Sequence, residues 1–319
     1  MDSQSPLVSI ECITYNHKDY IRRCLDGFVS QITNFRFEAI VHDDASTDGT
    51  SEIVKEYAEK YPNIIKPIFE KENQFSKHDG SLRRIVESAC IGKYIAFCEG
   101  DDFWTDPYKL QKQVDILEHN PDVGLVHTNF KYVDLEGREI SSSSLSTAYR
   151  ERMPSKSQGY IYGCLFNSSS SILTCTVVCK SQFVKMRMGS LDHGIFMTAA
   201  MKNQIVYIDD YTSSYRVNPK GMMISLSSVV EKGLLDTITI HMFNYYLGDL
   251  RDINSYYFTN KELQNEVDLF FAKYLLHCIR FGCDINTLVK IGRCFTSHFR
   301  LLFKAPLLMI KWSLRKVKS

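Results

Sequence analysis

The CxxC pairs of a zinc site are missing from this sequence: its ten cysteines stand at 12, 24, 90, 98, 164, 175, 179, 278, 283 and 294. That pattern excludes a zinc-finger framework and a secreted disulfide scaffold, so reduced, mostly buried thiols in a reducing cytoplasm are expected. No secretion signal is expected either, since Met1 to Pro6 is polar and leads into no basic-then-apolar stretch. No acidic residue follows Asp284, whereas Lys290, Arg293, Arg300, Lys304, Lys311, Arg315, Lys316 and Lys318 do. This stretch carries +8 against +1 for the whole chain, which leaves −7 on the remainder. Its longest apolar run, Ala305 to Ile310, is six residues, far from the roughly 20 that a spanning helix needs. The first strand-like run also lacks a glycine-rich phosphate loop: it passes into Cys12-Ile-Thr-Tyr-Asn-His-Lys18, which speaks against a nucleotidyltransferase.

What is present is the material of a folded enzyme-sized chain. At 319 residues, 44% hydrophobic and 24% charged, the sequence suits one large domain plus an appendage. Residues 7–13 and 37–41 are apolar and rich in β-branched side chains, as are 64–69 and 94–98, and each reads as a buried strand. Between them, helical spacing runs over 19–32, from about 50 to Pro62, and over 81–90. Leu110, Val114 and Leu117 repeat at helical spacing up to Asn120-Pro121, with Lys109, Lys112 and Glu118 expected outward. Strands are expected at 123–133 and 205–208, β-formers fill 170–179, a loop covers 141–158, and a helix follows Asp192. Beyond a boundary near 225 the pattern is helix-compatible throughout, over 229–247, 262–281 and 285–317. Such alternation predicts an α/β fold with a mostly parallel sheet flanked by helices and a helical C-terminal extension, and in such sheets ligands bind beyond the carboxyl ends of the strands.

Two acidic clusters fall at those ends: Asp43-Asp44 after the second strand, and Asp101-Asp102 after the fourth. By itself each admits two readings. Asp is common in turns and caps, but two adjacent carboxylates also repel and need a cation or strong donors to offset that. Hard divalent cations are commonly held by one or two carboxylates together with substrate phosphates. With Ser46, Asp48 and Thr50 close by, two such strand ends on one edge could hold a nucleotide and its metal.

Four segments in order, Val8-Ser-Ile-Glu-Cys-Ile-Thr-Tyr-Asn16, Val41-His-Asp-Asp-Ala-Ser-Thr-Asp-Gly-Thr50, Gly92-Lys-Tyr-Ile-Ala-Phe-Cys-Glu-Gly-Asp-Asp102 and Tyr215-Arg-Val217, resemble the family 2 glycosyltransferases of GT-A fold over residues 6 to 220. The resemblance implies inverting transfer of a sugar from a nucleotide diphosphate donor to an acceptor hydroxyl, usually with Mn²⁺ or Mg²⁺. It implies Asp44 at the nucleobase with Asp43 shaping the same strand end, and Thr14, Tyr15 and Asn16 lining the base and ribose pocket. It puts Asp101 toward the donor's sugar or ribose and Asp102 on the metal. Gly189-Ser-Leu-Asp-His-Gly-Ile-Phe196 resembles the segment that carries the family's catalytic base, with Asp192 in the acidic position; a helix cap is its other reading.

Two departures from the family pattern stand out. Asn218 follows Arg216-Val217 where many relatives have a histidine, and the segment before Gly92 has Gly80, Arg83 and Arg84 without the usual asparagine. Either arginine could reach the donor; Arg84 is carried as the donor contact, and a solvated helix face is the alternative for both. Phe103-Trp104 reads as core packing ahead of an acceptor platform. In the basic tail, Phe295, Phe299, Leu302, Leu307, Ile310, Leu314 and Val317 interleave with Lys and Arg, which suits peripheral contact with an anionic membrane or a packed terminal helix. No nucleic-acid partner is expected without a reader motif. The function expected is transfer from a nucleotide sugar, UDP-linked by preference, to a lipid-linked or surface polysaccharide glycan at the inner face of a bacterial cytoplasmic membrane. A non-catalytic nucleotide-sugar-binding scaffold is the competing reading.

Overall fold

A computed structural model describes residues 5–140, 172–185 and 192–218. All belong to the first of two units into which the chain divides; the second, 159–170 with 219–319, lies outside the described residues. So do the loop expected over 141–158, the boundary near 225, the helical extension and the basic tail.

In chain order the elements are β1 (Val8–Thr14), α1 (Ile21–Val29), β2 (Phe37–Asp43), α2 (Thr50–Lys60), β3 (Ile65–Phe69), α3 (Ser81–Ala89), β4 (Tyr94–Phe97), β5 (Phe103–Trp104), α4 (Lys109–His119), β6 (Val123–Val133), β7 (Val178–Lys180), α5 (Ser181–Lys185), α6 (Asp192–Lys202) and β8 (Gln204–Arg216). The strands form one mixed sheet in the order β3-β2-β1-β4-β7-β6-β8-β5. β3, β2, β1 and β4 run parallel; β7 is antiparallel to β4 and β6, and β5 to β8, while β6 and β8 are parallel.

The core follows from the apolar spacing. Ile21, Cys24, Leu25 and Phe28 recur on one stripe of α1 and are fully buried with Val8, Ile10 and Cys12 of β1 and Ala39 and Val41 of β2. Each large apolar side chain taken out of water here contributes roughly 1.5–3 kcal/mol. The six described cysteines are free and buried.

Register matters most for the site. Thr14 pairs with Asp43 across β1 and β2, and Glu11 with Phe97 across β1 and β4. Just past the strands, Asp44 N donates to Thr14 O and Gly100 N to Ile13 O. The carboxyl ends of β2, β1 and β4 therefore finish level, and the sheet order changes direction there.

Three local features differ from the sequence expectations. β8 runs on through Asp-Asp-Tyr-Thr-Ser-Ser-Tyr-Arg to Arg216; its hydroxyls are buried but partnered, Thr212 with Thr128 at 2.6 Å and Ser213 with Cys175 O at 2.8 Å, so polarity hid a core strand. Lys109 points inward, not outward: it is fully buried, donates to Gln113 Oε1 and Thr176 O, and lies 4.8 Å from the Trp104 ring. Burial pulls its pKa down to about 7. Trp104 is itself core, donating to Cys175 O at 2.9 Å and meeting Phe28 edge-on.

Candidate active site

The segment after β1 and the turn after β2 are laced together. Asn16, in the left-handed region at φ 53°, donates its amide to Ser46 Oγ and accepts from Thr47 N. His17 N donates to Thr50 Oγ1, and Lys18 N to Asp48 Oδ2. Tyr15 is 45% exposed between them.

Asp43 and Asp44 sit in this frame with their carboxylates satisfied. Asp43 accepts from Ser46 N at 3.1 Å and from the Ser51 hydroxyl at the start of α2. Asp44 accepts from Gln74 N at 2.7 Å and Phe75 N at 3.0 Å, while its carbonyl takes the Asn73 side chain. One lone-pair direction on each Asp44 oxygen stays available to a further donor.

At the end of β4 the chain turns through Gly100. A Cβ there would lie 2.5 Å from Thr14 Oγ1 and 3.0 Å from His17 Nδ1, so only glycine fits. Those two atoms are buried and have no hydrogen-bond partner among the described residues. Buried polar atoms without partners are uncommon, and two that meet at one turn suit a polar ligand.

Asp102 is 2% exposed. It accepts Arg216 N at 2.8 Å, while Arg216 Nε donates to Asp101 O and the guanidinium lies 4.5 Å from the Tyr20 ring. The charge on Arg216 thus goes to carbonyls and ring faces, not to the Asp102 oxygens. Burial, with Asp101 and Glu99 adding repulsion, pushes the Asp102 carboxyl well above the usual carboxylate range. Asp101 stands 4.0 Å from His17 Nε2, yet burial still lowers the His17 pKa.

Glu99, from the same turn, accepts from Thr174 Oγ1 at 3.0 Å. Burial, then the charges of Asp192 and Asp101, push its carboxyl up to about 7. Glu99 therefore feels the charges of both Asp101 and Asp192. Asp192 opens α6 and is paired with Arg83, whose other nitrogen reaches Glu11 Oε1 at 3.0 Å.

Of the residues expected from the sequence, Thr14, Asn16, Asp43, Asp44, Asp101 and Asp102 thus come to one sheet edge, and Asp192 is tied to β1 by way of Arg83 and Glu11. Arg84 does not join them: it is exposed and tied to Asp79, because adjacent helical residues point about 100° apart, and Arg83 is the one that turns inward. His17, Glu99 and Glu11 were not singled out. Glu11 carried a signal, a lone charge inside an apolar strand; His17 and Glu99 carried none beyond their neighbours.

Among the described residues no group of three or more His, Cys, Asp or Glu side chains forms a metal cage. The donor set still suits a hard divalent cation, which needs only one or two carboxylates beside phosphate oxygens, and Asp102 is a buried carboxylate without a cationic partner.

Residues 9–176, more than half of the chain, match the family described as Glycosyl transferase family 2. The "Uncharacterized protein Rv1520" of Mycobacterium tuberculosis is 49% identical over 115 residues, 36% of this chain and 32% of that protein. The "Putative teichuronic acid biosynthesis glycosyltransferase TuaG" of Bacillus subtilis is 35% identical over 117 residues, 37% of this chain and 44% of its own length. The chain thus spans about a third to under a half of these relatives. Among solved structures, S. aureus TarS 1-349 in complex with UDP-GlcNAc superposes with a TM-score of 0.57 at 18% identity, over 95% of this chain and 88% of that one, which shows the same GT-A fold. With the family motifs at the level ends of β1, β2 and β4, the chain belongs to glycosyl transferase family 2.

Proposed function

We propose that the protein is an inverting glycosyltransferase that moves a sugar from a nucleotide diphosphate donor, a UDP-sugar, to an acceptor hydroxyl on a lipid-linked or surface polysaccharide glycan. The observation that supports this reading is the shared edge: Thr14, Asp44, Asp101 and Asp102 at level strand ends, with Asp192 linked to β1 through Arg83 and Glu11. The printed names of TuaG and of the TarS complex give the glycan and donor classes their support.

Asp44 offers its remaining lone pairs to a base N–H, and Thr14 Oγ1 offers a partner to the ribose or diphosphate. Mn²⁺ or Mg²⁺, held by Asp102 with Asp101 beside it, would supply charge stabilisation for the departing diphosphate. Asp192 takes the acceptor proton as the hydroxyl oxygen bonds to the anomeric carbon; the bond from that carbon to the diphosphate breaks, and its electron pair leaves with the nucleotide.

Asp192→Asn tests the assignment. Donor binding is expected to persist, by thermal shift with UDP-GlcNAc and Mn²⁺, while transfer falls at least about 10²-fold. Robust turnover by this variant would remove Asp192 as the base. Metal-dependent release of free sugar without acceptor separates an enzyme from a scaffold.

The reading extends to peripheral attachment at the inner face of a bacterial cytoplasmic membrane through the basic stretch 285–319. Among the described residues no helix is long and apolar enough to cross a membrane. Removing 285–319 is expected to abolish partition to anionic vesicles; unchanged partition would refute that attachment.

A further inference from the structure

Glu11 sits in the middle of β1, flanked by apolar residues, with a side chain only 3% exposed. A buried carboxylate there is costly unless a cation meets it. Arg83, one turn into α3, is that cation. Its Nη1 donates to Glu11 Oε1 at 3.0 Å and its Nη2 donates to Asp192 Oδ1. Burial alone would make this guanidinium easier to deprotonate, but the charges of Asp192 and Glu11 outweigh that and raise its pKa. One guanidinium thus bridges the first strand and the first residue of α6.

A mere tie between elements does not need the base of the reaction as one of its ends. Among the described residues, Asp192 has Arg83 as its direct charged partner, Glu11 stands behind Arg83, and Glu99 from the turn after β4 feels the Asp192 charge. An arginine on a carboxylate fixes its orientation but weakens it as a base, and a base works best with a pKa near the working pH. A second carboxylate on the same arginine offsets that weakening.

We propose that Glu11 and Arg83 are positioning residues of the transfer reaction. Arg83 holds Oδ1 of Asp192 and leaves Oδ2 for the acceptor hydroxyl. Glu11 holds Arg83 in that pose and shares its charge, so that the guanidinium does not bind Asp192 alone. The inference rests on Asp192 being the base, and its test separates the two.

The readout is the titration of the Asp192 carboxyl carbon by ¹³C NMR in the full chain labelled at aspartate, the signal identified by its loss in Asp192→Asn. No substrate is needed. Arg83→Gln is expected to raise the Asp192 midpoint by about one to three pH units. Glu11→Gln is expected to lower it by about half a unit, because the undivided arginine charge then falls on Asp192. Midpoints that move in the same direction, or that do not move, overturn the charge sharing proposed here, and the kinetic arm decides whether it serves the reaction.

Release of sugar from UDP-GlcNAc in Mn²⁺ adds the kinetic arm. Glu11→Gln should lower kcat about 10-fold with KM within about twofold and shift the acid limb of the profile downward, with Glu11→Asp restoring most of the rate. A rise in KM with kcat intact would refute the positioning role. If Glu11→Gln does not fold, the pair Arg83→Gln and Arg83→Lys decides: the midpoint should rise in the first and return most of the way in the second, and equal midpoints would refute it. Full turnover by Asp192→Asn would sink the base assignment; an inactive Asp192→Asn beside unchanged Glu11 and Arg83 variants would sink this inference alone.

Discussion

The two aspartate pairs read alike in the sequence, each two acids after an apolar strand, but their surroundings differ. Asp43 and Asp44 accept from Ser46 N, the Ser51 hydroxyl, Gln74 N and Phe75 N, so the turn around them neutralises their cost. Asp102 is equally buried but accepts one backbone amide and only the weak Cys175 thiol besides, with Asp101 and Glu99 adding repulsion. The first pair is satisfied by the fold; the second is held in a state that a cation would relieve. Burial alone does not separate structural from chemical acids, and the census of donors does.

The largest effect expected from breaking that contrast is at Asp102. Asp102→Asn keeps the acceptor for Arg216 N and removes a buried acid whose ionisation the site opposes, so the metal-free protein should melt higher while transfer falls about 10³-fold. A lower melting temperature would mean that the carboxylate is already compensated. Asp43→Ala should act in the opposite sense, destabilising by about 2 kcal/mol in urea unfolding through the orphaned Ser46 amide and Ser51 hydroxyl.

A third test uses pH. The folded pKa of Lys109, about 7, lies below the usual lysine value near 10.5, so between those values the unfolded chain binds a proton that the folded chain does not. Stability should therefore rise with pH across that window and be lowest below about 7. Lys109→Met should flatten the rise in melting temperature; an unchanged slope would exclude Lys109 as its source. The smallest effect expected is at Ala45, between the two halves of the laced turn at φ 65°. Ala45→Gly should stabilise by up to about 1 kcal/mol in urea unfolding, since a left-handed alanine is strained.

Much of this was legible in the sequence. Apolar runs at strand spacing placed β1 to β4, and their register follows from parallel pairing, so the convergence of both acidic pairs was readable. The end of β8 was not, because Thr212, Ser213 and Ser214 look like a loop until the partners of the first two hydroxyls are known. Lys109 misled for the related reason that a lysine at the edge of a helical stripe can turn its ammonium onto carbonyls and a Trp face. Arg83 and Arg84 could not be told apart by type, only by which face of α3 meets the sheet.

The clamp on the Asp101-Asp102 loop comes from Arg216, 114 residues after Asp102, and so lies past the end of the family-matched span at 176. A truncation at that limit would retain both loop acids yet discard the main-chain donor that fixes one and the side chain that fixes the other. For anyone trimming this chain for crystallisation or transplanting its specificity, the smallest inheritable unit extends through β8, whatever the homology suggests.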